Sequence, residues 1–398
     1  MCLNFYITAG QPIKIIVKNT HFEELAMKSA KCPFCGSEMK RNGKTSSGKQ
    51  RWRCKNCGSS KTHQIDNEAK QLKIFLSWLL TSKRQFDMPG QGRSFRRLAS
   101  RFWRCWPLPR FVDEIHRVVY VDGIYIARNI VILIACSDSH ILTWHLAKSE
   151  NSHSWSALMS KIAPPEMVVT DGGSGFSKAT KQIWPNVPIQ RCLFHVFRQV
   201  KRYTTARPNL QAGKELYQLA KELLYIKEIK HAEWWIERFM NWCDFWSDFL
   251  AEKSIIDGKL VYTHERLRKA RRSLVALINN GTLFTFLNPN LAAEEPLPSM
   301  NNRIEGGVNS QLRELLRRHR GLNTTRRIKA VFWWCYMHTE HPEAPSEIIK
   351  NMPTDDDIEL LRECFGQITD NIEIPSEWGQ GIVWSEFHHA TPYPYSID

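Results

Sequence analysis

The sequence predicts an α/β protein whose core runs three strands, helix, strand, helix, strand, with an all-α insertion after it and small modules ahead of it. Three observations carry this. From Arg117 onward the runs VVYVDGIYI, NIVILIACS and HILTWHLA are apolar, rich in β-branched residues and joined by short polar turns, as in an antiparallel set of strands. Helical and strand-like patterns then alternate in SWSALMSKIA, EMVVTD, SKATKQIW and VPIQR. Upstream, two CxxC pairs flank a short basic segment.

Taken in order, residues 1–30 show weak strand-like alternation and read as a flexible leader. Residues 31–62 hold Cys32, Cys35, Cys54 and Cys57, each pair followed by a glycine, Gly36 or Gly58. Two such knuckles about 18 residues apart predict a tetrahedral four-cysteine zinc ribbon, because four thiolates can surround one Zn²⁺ where so short a segment lacks the apolar content to fold alone. Lys40, Arg41, Lys44, Lys49, Arg51, Arg53 and Lys55 surround them and suit a polyanion. Residues 68–106 predict two helices around the breaker MPGQG, a helix-turn-helix with Ser94 as N-cap of the second helix and Arg96, Arg97, Arg101 and Arg104 on its exposed side. The prolines of WPLPR mark a linker.

The core follows at 115–340, and the stretch of about 193–290 within it, rich in Leu, Lys, Glu and Trp, is expected to be helical throughout. Trp234, Trp235, Trp242 and Trp246 recur there at helical spacing, which favours core packing over base stacking. EGGVNSQLRELLRRHRGL predicts a helix opened by Glu305, and RIKAVFWWCYMH a buried one that closes the body. Residues 341–398 read as a solvated acidic tail.

Charge and cysteine usage exclude several classes. The net charge is +15, yet 340–398 holds 13 acidic and 2 basic residues, so the chain before it carries about +26 and calls for a polyanionic partner. Cys2, Cys105, Cys136, Cys192, Cys243, Cys335 and Cys364 are scattered and odd in number, which fits a reducing cytosol rather than a disulfide framework. The opening is a poor secretory signal, and the longest apolar stretch is broken by Asp122, Arg128 and Asn129, so no membrane association is expected.

Strand, strand, strand, helix, strand, helix, strand is the order of the ribonuclease H-like fold, in which the first and fourth strands lie side by side. Asp122 in VVYVDGIY and Asp171 in MVVTDGGSGF would then meet across neighbouring strands, with Glu305 in NNRIEGGVNSQL supplied by the late helix. Three carboxylates in such settings suit hard divalent cations, a pair of which can clamp the attacking and leaving oxygens of a phosphodiester. Taken singly, each acid has a plainer reading: Asp before Gly forms turns, and Glu favours a first helical turn.

The ribbon, the basic helix pair, VDG at 121–123, VVTDGGSGF at 168–176, RCLFH at 191–195 and NNRIEGG at 301–307 together resemble the bacterial insertion-sequence transposases of the mutator-like DDE superfamily over about 30–340. That resemblance implies that Asp122, Asp171 and Glu305 hold two Mg²⁺ or Mn²⁺ ions about 4 Å apart, with Zn²⁺ in the ribbon. It implies double-stranded DNA as partner, both terminal inverted repeats and target, a homodimer or larger synaptic complex, and a nucleoid-associated cytoplasmic protein. Cys192 and His195 match the family's Cys-x-x-His pair and are expected to steady the site rather than to bind metal. Asn302 either contacts DNA or caps the helix, and Arg303 and Arg313 lie where DNA phosphate would pass. A catalytically silent DNA-binding regulator and a stand-alone ribonuclease H-like nuclease are the alternatives.

Overall fold

A computed structural model describes residues 30–32, 35–46, 48–62, 67–292 and 295–360. The expected leader, Cys2, Cys364 and the end of the chain past 360 lie outside the described residues. The chain divides into two units, 1–67 and 68–398.

In the first unit, β1 (Ala30–Lys31), β2 (Glu38–Lys44), β3 (Gln50–Cys54) and β4 (Ser60–Thr62) form an antiparallel sheet in sequential order. Its buried apolar content is small: Cys32, Met39 and Cys54, with Trp52 packed against them. The alternation of β3 puts Arg51 and Arg53 on one face and Trp52, stacked under Arg41, on the other.

The second unit opens with α1 (Glu68–Leu80) and α2 (Gln91–Phe102). Their inner faces pack on one another and on the main core: Phe75 meets Phe102 at 5.5 Å and Trp333 at 6.0 Å, and Trp78 meets His319 at 4.6 Å between ring centroids. The pair therefore shares the body's core. Ser94 lies inside α2 and does not cap it; Gly90, in the left-handed region at φ 79°, precedes the first turn, and the helix kinks at Gly92.

β5 (Val118–Ala127), β6 (Ile130–Cys136), β7 (Ile141–Ala147), β8 (Met167–Thr170) and β9 (Ile189–Arg191) make a mixed sheet in the order β7-β6-β5-β8-β9. The first three are antiparallel, whereas β5–β8 and β8–β9 are parallel, with α3 (Ser152–Met159) and α4 (Ser174–Ile183) as connections. β6 and β7 are buried along their whole length, so both faces of the sheet are covered. One face carries α3 and α4 through Trp155 and Phe176; the other carries the helices of the long insertion and α11 (Thr324–Met337, below).

The insertion holds α5 (Leu193–Thr204), α6 (Gln211–Glu222), α7 (Ile229–Phe245), α8 (Ser247–Ala251) and α9 (Glu265–Asn279), but it is not all-α. β10 (Lys253–Ile256) and β11 (Lys259–Tyr262) form a hairpin between α8 and α9. The cause is Asp257-Gly258, both at positive φ (51° and 73°), the two-residue turn that matches strand twist, set between the β-type runs SII and LVY. Trp235 and Trp242 are buried and donate from Nε1 to the carbonyls of Leu219 (2.8 Å) and Ala212 (3.1 Å); Trp246 donates to Glu215. Trp234 is exposed under the Arg238 guanidinium.

After the insertion come a π-helical turn, Arg303–Asn309, then α10 (Ser310–Arg318), α11 and α12 (Pro345–Asn351). The acidic tail expected from 341 does not hold through 360. Trp106 N–H donates to the Pro353 carbonyl, and Asp355 accepts from Trp106 Nε1 (2.7 Å) and from the buried Lys329 Nζ (2.5 Å), which also donates to the Trp103 carbonyl (2.7 Å). A buried ammonium requires a carboxylate partner, so part of the acidic charge is structural.

Candidate active site

The register sets two of the carboxylates side by side. Val121 on β5 pairs with Thr170 on β8, so Asp122 and Asp171 follow on adjacent parallel strands. β5 runs on through Gly123 to Ala127, so Asp122 sits within a strand rather than at its end. Asp122 Oδ1 accepts from Gly123 N–H (2.8 Å) and Oδ2 from Asn309 Nδ2 (2.7 Å). Beyond Asp171, Gly172 adopts φ 82°, and a Cβ there would fall 0.9 Å from Arg191 Nη1 on β9. Only glycine admits that guanidinium beside Asp171.

Glu305 comes from the π-helical turn, where the wider i→i+5 spacing replaces the α-helical start expected from sequence. Its Oε1 lies 2.7 Å from His195 Nε2 on α5. Cys192, just before α5, donates its N–H to the Thr170 carbonyl and accepts from Asn301 N–H at Sγ (3.2 Å), while Asn301 Nδ2 donates to the Val121 carbonyl (3.2 Å). Thus Cys192 and His195 tie the Glu305 segment to β5 and β8.

The electrostatics follow from crowding acids in a half-buried place. Burial first, then the Asp171 charge, with Glu305 and Glu150 contributing, pushes Asp122 up to about 7. Burial likewise raises Asp171, opposed by His195 and Arg191, and raises Glu305, opposed by Arg198 and Arg313. Glu150, whose Oε1 a Cβ on Gly123 would approach to 2.5 Å, is raised by burial and by Asp171. Burial depresses His195 despite Asp171. Repelling oxygen donors of this kind fit hard divalent cations, whose charge would offset the repulsion. The carboxylate oxygens are less tightly gathered than the cysteines, which are the group among the described residues with ligand atoms all within 4.8 Å of one another.

That cysteine group is Cys32, Cys35, Cys54 and Cys57, with Sγ–Sγ separations of 3.5 Å for both the Cys32–Cys57 and Cys35–Cys54 pairs. Tetrahedral Zn–S bonds of about 2.3 Å imply sulfur separations of about 3.8 Å, so the donor set fits Zn²⁺.

The basic residues expected to meet a polyanion divide. Arg51, Arg53, Arg96, Arg97 and Arg313 are exposed. Arg101 is engaged by Glu68 (2.5 Å) and Gln71, and Arg303 donates to the Ser139 carbonyl (2.8 Å) across the β6–β7 turn. Asn302 is exposed and makes no side-chain cap. Asp138 accepts from the Tyr120 hydroxyl (2.6 Å).

Sequence reasoning missed Asn309, Arg191, Glu150 and Arg198. Asn309 carried a signal: four residues after Glu305, it shares the helix face that turns inward. The other three are recognisable only from the tertiary arrangement.

Residues 110–254 match the family described as Transposase, Mutator family, a segment that contains Asp122, Asp171, Cys192 and His195 and stops short of Glu305. The transposase for insertion sequence element IS905 of Lactococcus lactis subsp. lactis (strain IL1403) is 28% identical over 147 residues, 31% of this chain and 37% of the relative. The chain thus spans under half the length of the relative it matches. Both matches agree with the resemblance read from the motifs: over these segments the chain is similar to the mutator-type transposases of bacterial insertion sequences.

Proposed function

We propose that the chain is a DNA transposase that binds the terminal inverted repeats of an insertion sequence, cleaves phosphodiester bonds with divalent metal and joins the freed 3′ ends to target DNA. The observation that carries this reading is the convergence of Asp122, Asp171 and Glu305 from two adjacent parallel strands and a π-helical turn, in mutual electrostatic range. The sheet order β7-β6-β5-β8-β9, with its first strand parallel to its fourth, supports a ribonuclease H-like core.

Mg²⁺ or Mn²⁺ held by Asp122, Asp171 and Glu305 would supply the charge that activates an attacking oxygen and stabilises a leaving one. The chain's own residues prepare the site. Asn309 and the Gly123 amide fix the two oxygens of Asp122, His195 fixes Glu305, and Arg191 offsets the charge of Asp171. Zn²⁺ on the four cysteines would hold the ribbon, which offers Arg51 and Arg53 to DNA, as Arg96 and Arg97 are offered on α2. Partners follow from the same reading: both ends of the element, target DNA, and a second copy in a homodimer or larger synaptic complex on the bacterial nucleoid in the cytoplasm. No helix of the described residues is long and apolar enough to cross a membrane.

The test is strand transfer on DNA from the element's two ends with Mg²⁺ or Mn²⁺, comparing wild type with Asp122→Asn, Asp171→Asn and Glu305→Gln. Joined products from wild type alone, with folded and DNA-bound variants, support the proposal. Binding without cutting by every protein points to a silent regulator, and cutting without joining to a stand-alone nuclease.

A further inference from the structure

We infer that the solvent face of α5, carrying Phe194, Arg198, Lys201 and Arg202, seats the sugar-phosphate backbone of the DNA strand that passes through the carboxylate cluster, an inference that rests on reading that cluster as a phosphodiester site. The helix begins inside the cluster: His195 touches Glu305, and Arg198 acts electrostatically on both. At 100° per residue, Phe194, His195, Arg198, Lys201 and Arg202 fall within an arc of about 120°. Val196, Val200 and Thr204, on the opposite side, are buried. The helix is therefore anchored by one face and presents a row of cations on the other.

That row is unmatched. Several other arginines of this unit are paired with acids, as in Arg110–Glu343, Arg238–Glu222 and Arg272–Glu265. Among the described residues, Arg198, Lys201 and Arg202 form no salt bridge, and all three are exposed. Lys201 and Arg202, adjacent like charges with no acid paired to them among the described residues, cost stability unless a polyanion covers them. The spacing also suits a strand. From Phe194 to Arg202 the helix rises about 12 Å, close to the axial rise of three nucleotides at about 3.4 Å each. Arg198 is stacked on Phe194 at 5.8 Å, which holds the guanidinium over an aromatic surface that a base could also use. The chemical class of the ligand is thus nucleic-acid phosphate, read without sequence preference.

The experiment uses the full-length protein and measures binding to two duplexes of unrelated sequence by fluorescence anisotropy across a salt series. For the variant Arg198→Gln/Lys201→Gln/Arg202→Gln, the slope of log K against log salt is expected to become shallower by about 2.7, which is about 0.9 for each lost phosphate contact, equally on both duplexes. The charge-preserving variant Arg198→Lys/Lys201→Arg/Arg202→Lys is expected to keep the wild-type slope, which separates charge from helix integrity. An unchanged slope in the glutamine variant, with its melting curve intact, overturns the α5 seat, and wild-type strand joining then still supports the reading of the carboxylates. A wild type that binds neither duplex overturns both.

Discussion

The protein gathers candidate metal-ligand atoms in two places by opposite means. In the ribbon, four thiol ligands come from two knuckles within 26 residues of chain, and their sulfurs already lie within 4.8 Å of one another. In the α/β body, Asp122, Asp171 and Glu305 are separated by up to 183 positions and brought together by a parallel strand pair and a π-helical turn. The ribbon has little core beyond its ligands, whereas the body has an extensive core and spends some of its stability on crowding acids. The first is a site that makes its fold, and the second is a fold that makes its site.

The largest expected effect breaks the first half of this comparison. Chelation, or Cys54→Ser, should unfold the ribbon, because structural zinc in small modules contributes about 10–16 kcal/mol of apparent folding free energy at neutral pH. The body should keep its melting transition, since it has a separate core. Loss of amide dispersion confined to 30–62 in NMR spectra is the measurement. A ribbon that stays folded without metal would show that its buried residues suffice.

Next in size is Asp122→Asn. Cleavage should fall by roughly 10³-fold or more, above the 10²–10³ typical of removing one electrostatic group. Stability of the metal-free protein should move the other way. Asp122 titrates near 7 in the fold against 3.8 for an ordinary aspartate, so its ionisation opposes folding: its destabilising effect is absent below about 4 and grows as pH rises toward 7. Wild-type Tm should therefore decline over that interval by more than the Tm of Asp122→Asn, as read by thermal melts from pH 4 to 8. Equal pH profiles would refute a strained, assembled site.

The same contrast explains what could be read from sequence. The cysteines were legible because their ligand spacing is local, and the two aspartates because each ends or interrupts a recognisable strand run while element order fixes which strands are neighbours. The hairpin at 253–262 also carried a local signal, Asp257-Gly258, that the surrounding helical texture masked. Lys329 and Asp355 were not legible as a pair: nothing local distinguishes a buried lysine from a surface one, nor a docked acidic segment from a solvated one. Arg191 and Glu150 join the site through contacts with Gly172 and Gly123 that exist only once β5, β8 and β9 are aligned.

Gly172→Ala sharpens that last point. The new Cβ would coincide with the Arg191 guanidinium, and φ 82° is strained for alanine by about 1–3 kcal/mol. Arg191 must move away, which removes a cation opposing the raised pKa of Asp171. The expected outcome is a Tm drop of a few degrees together with tighter Mn²⁺ binding by calorimetry, because a cation that competes with the metal has left. Double substitution with Arg191→Gly should recover part of the stability and none of the charge compensation, so a variant that regains both would contradict the role given to Arg191.

The smallest effect concerns Asn309, where a long-range site depends on one amide. Its side chain is fully buried, reaches Asp122 Oδ2 at 2.7 Å and is supplied by the same π-helical turn that carries Glu305. One turn therefore delivers one acid and orients another. Asn309→Ala keeps every carboxylate but frees Asp122 to rotate and removes a donor from its charged form, so its titration should shift upward. Supporting groups of this kind typically contribute 10–100-fold to metal affinity or activity. We expect Mn²⁺ affinity and cleavage to fall together within that range while the ribbon keeps its zinc. Asn309→Asp should be worse than Asn309→Ala, because it adds a further negative charge against Asp122 in place of the donor. If the aspartate variant proved the milder of the two, the amide would be filling space rather than aiming the carboxylate, and Asp122 would owe its position to the strand alone.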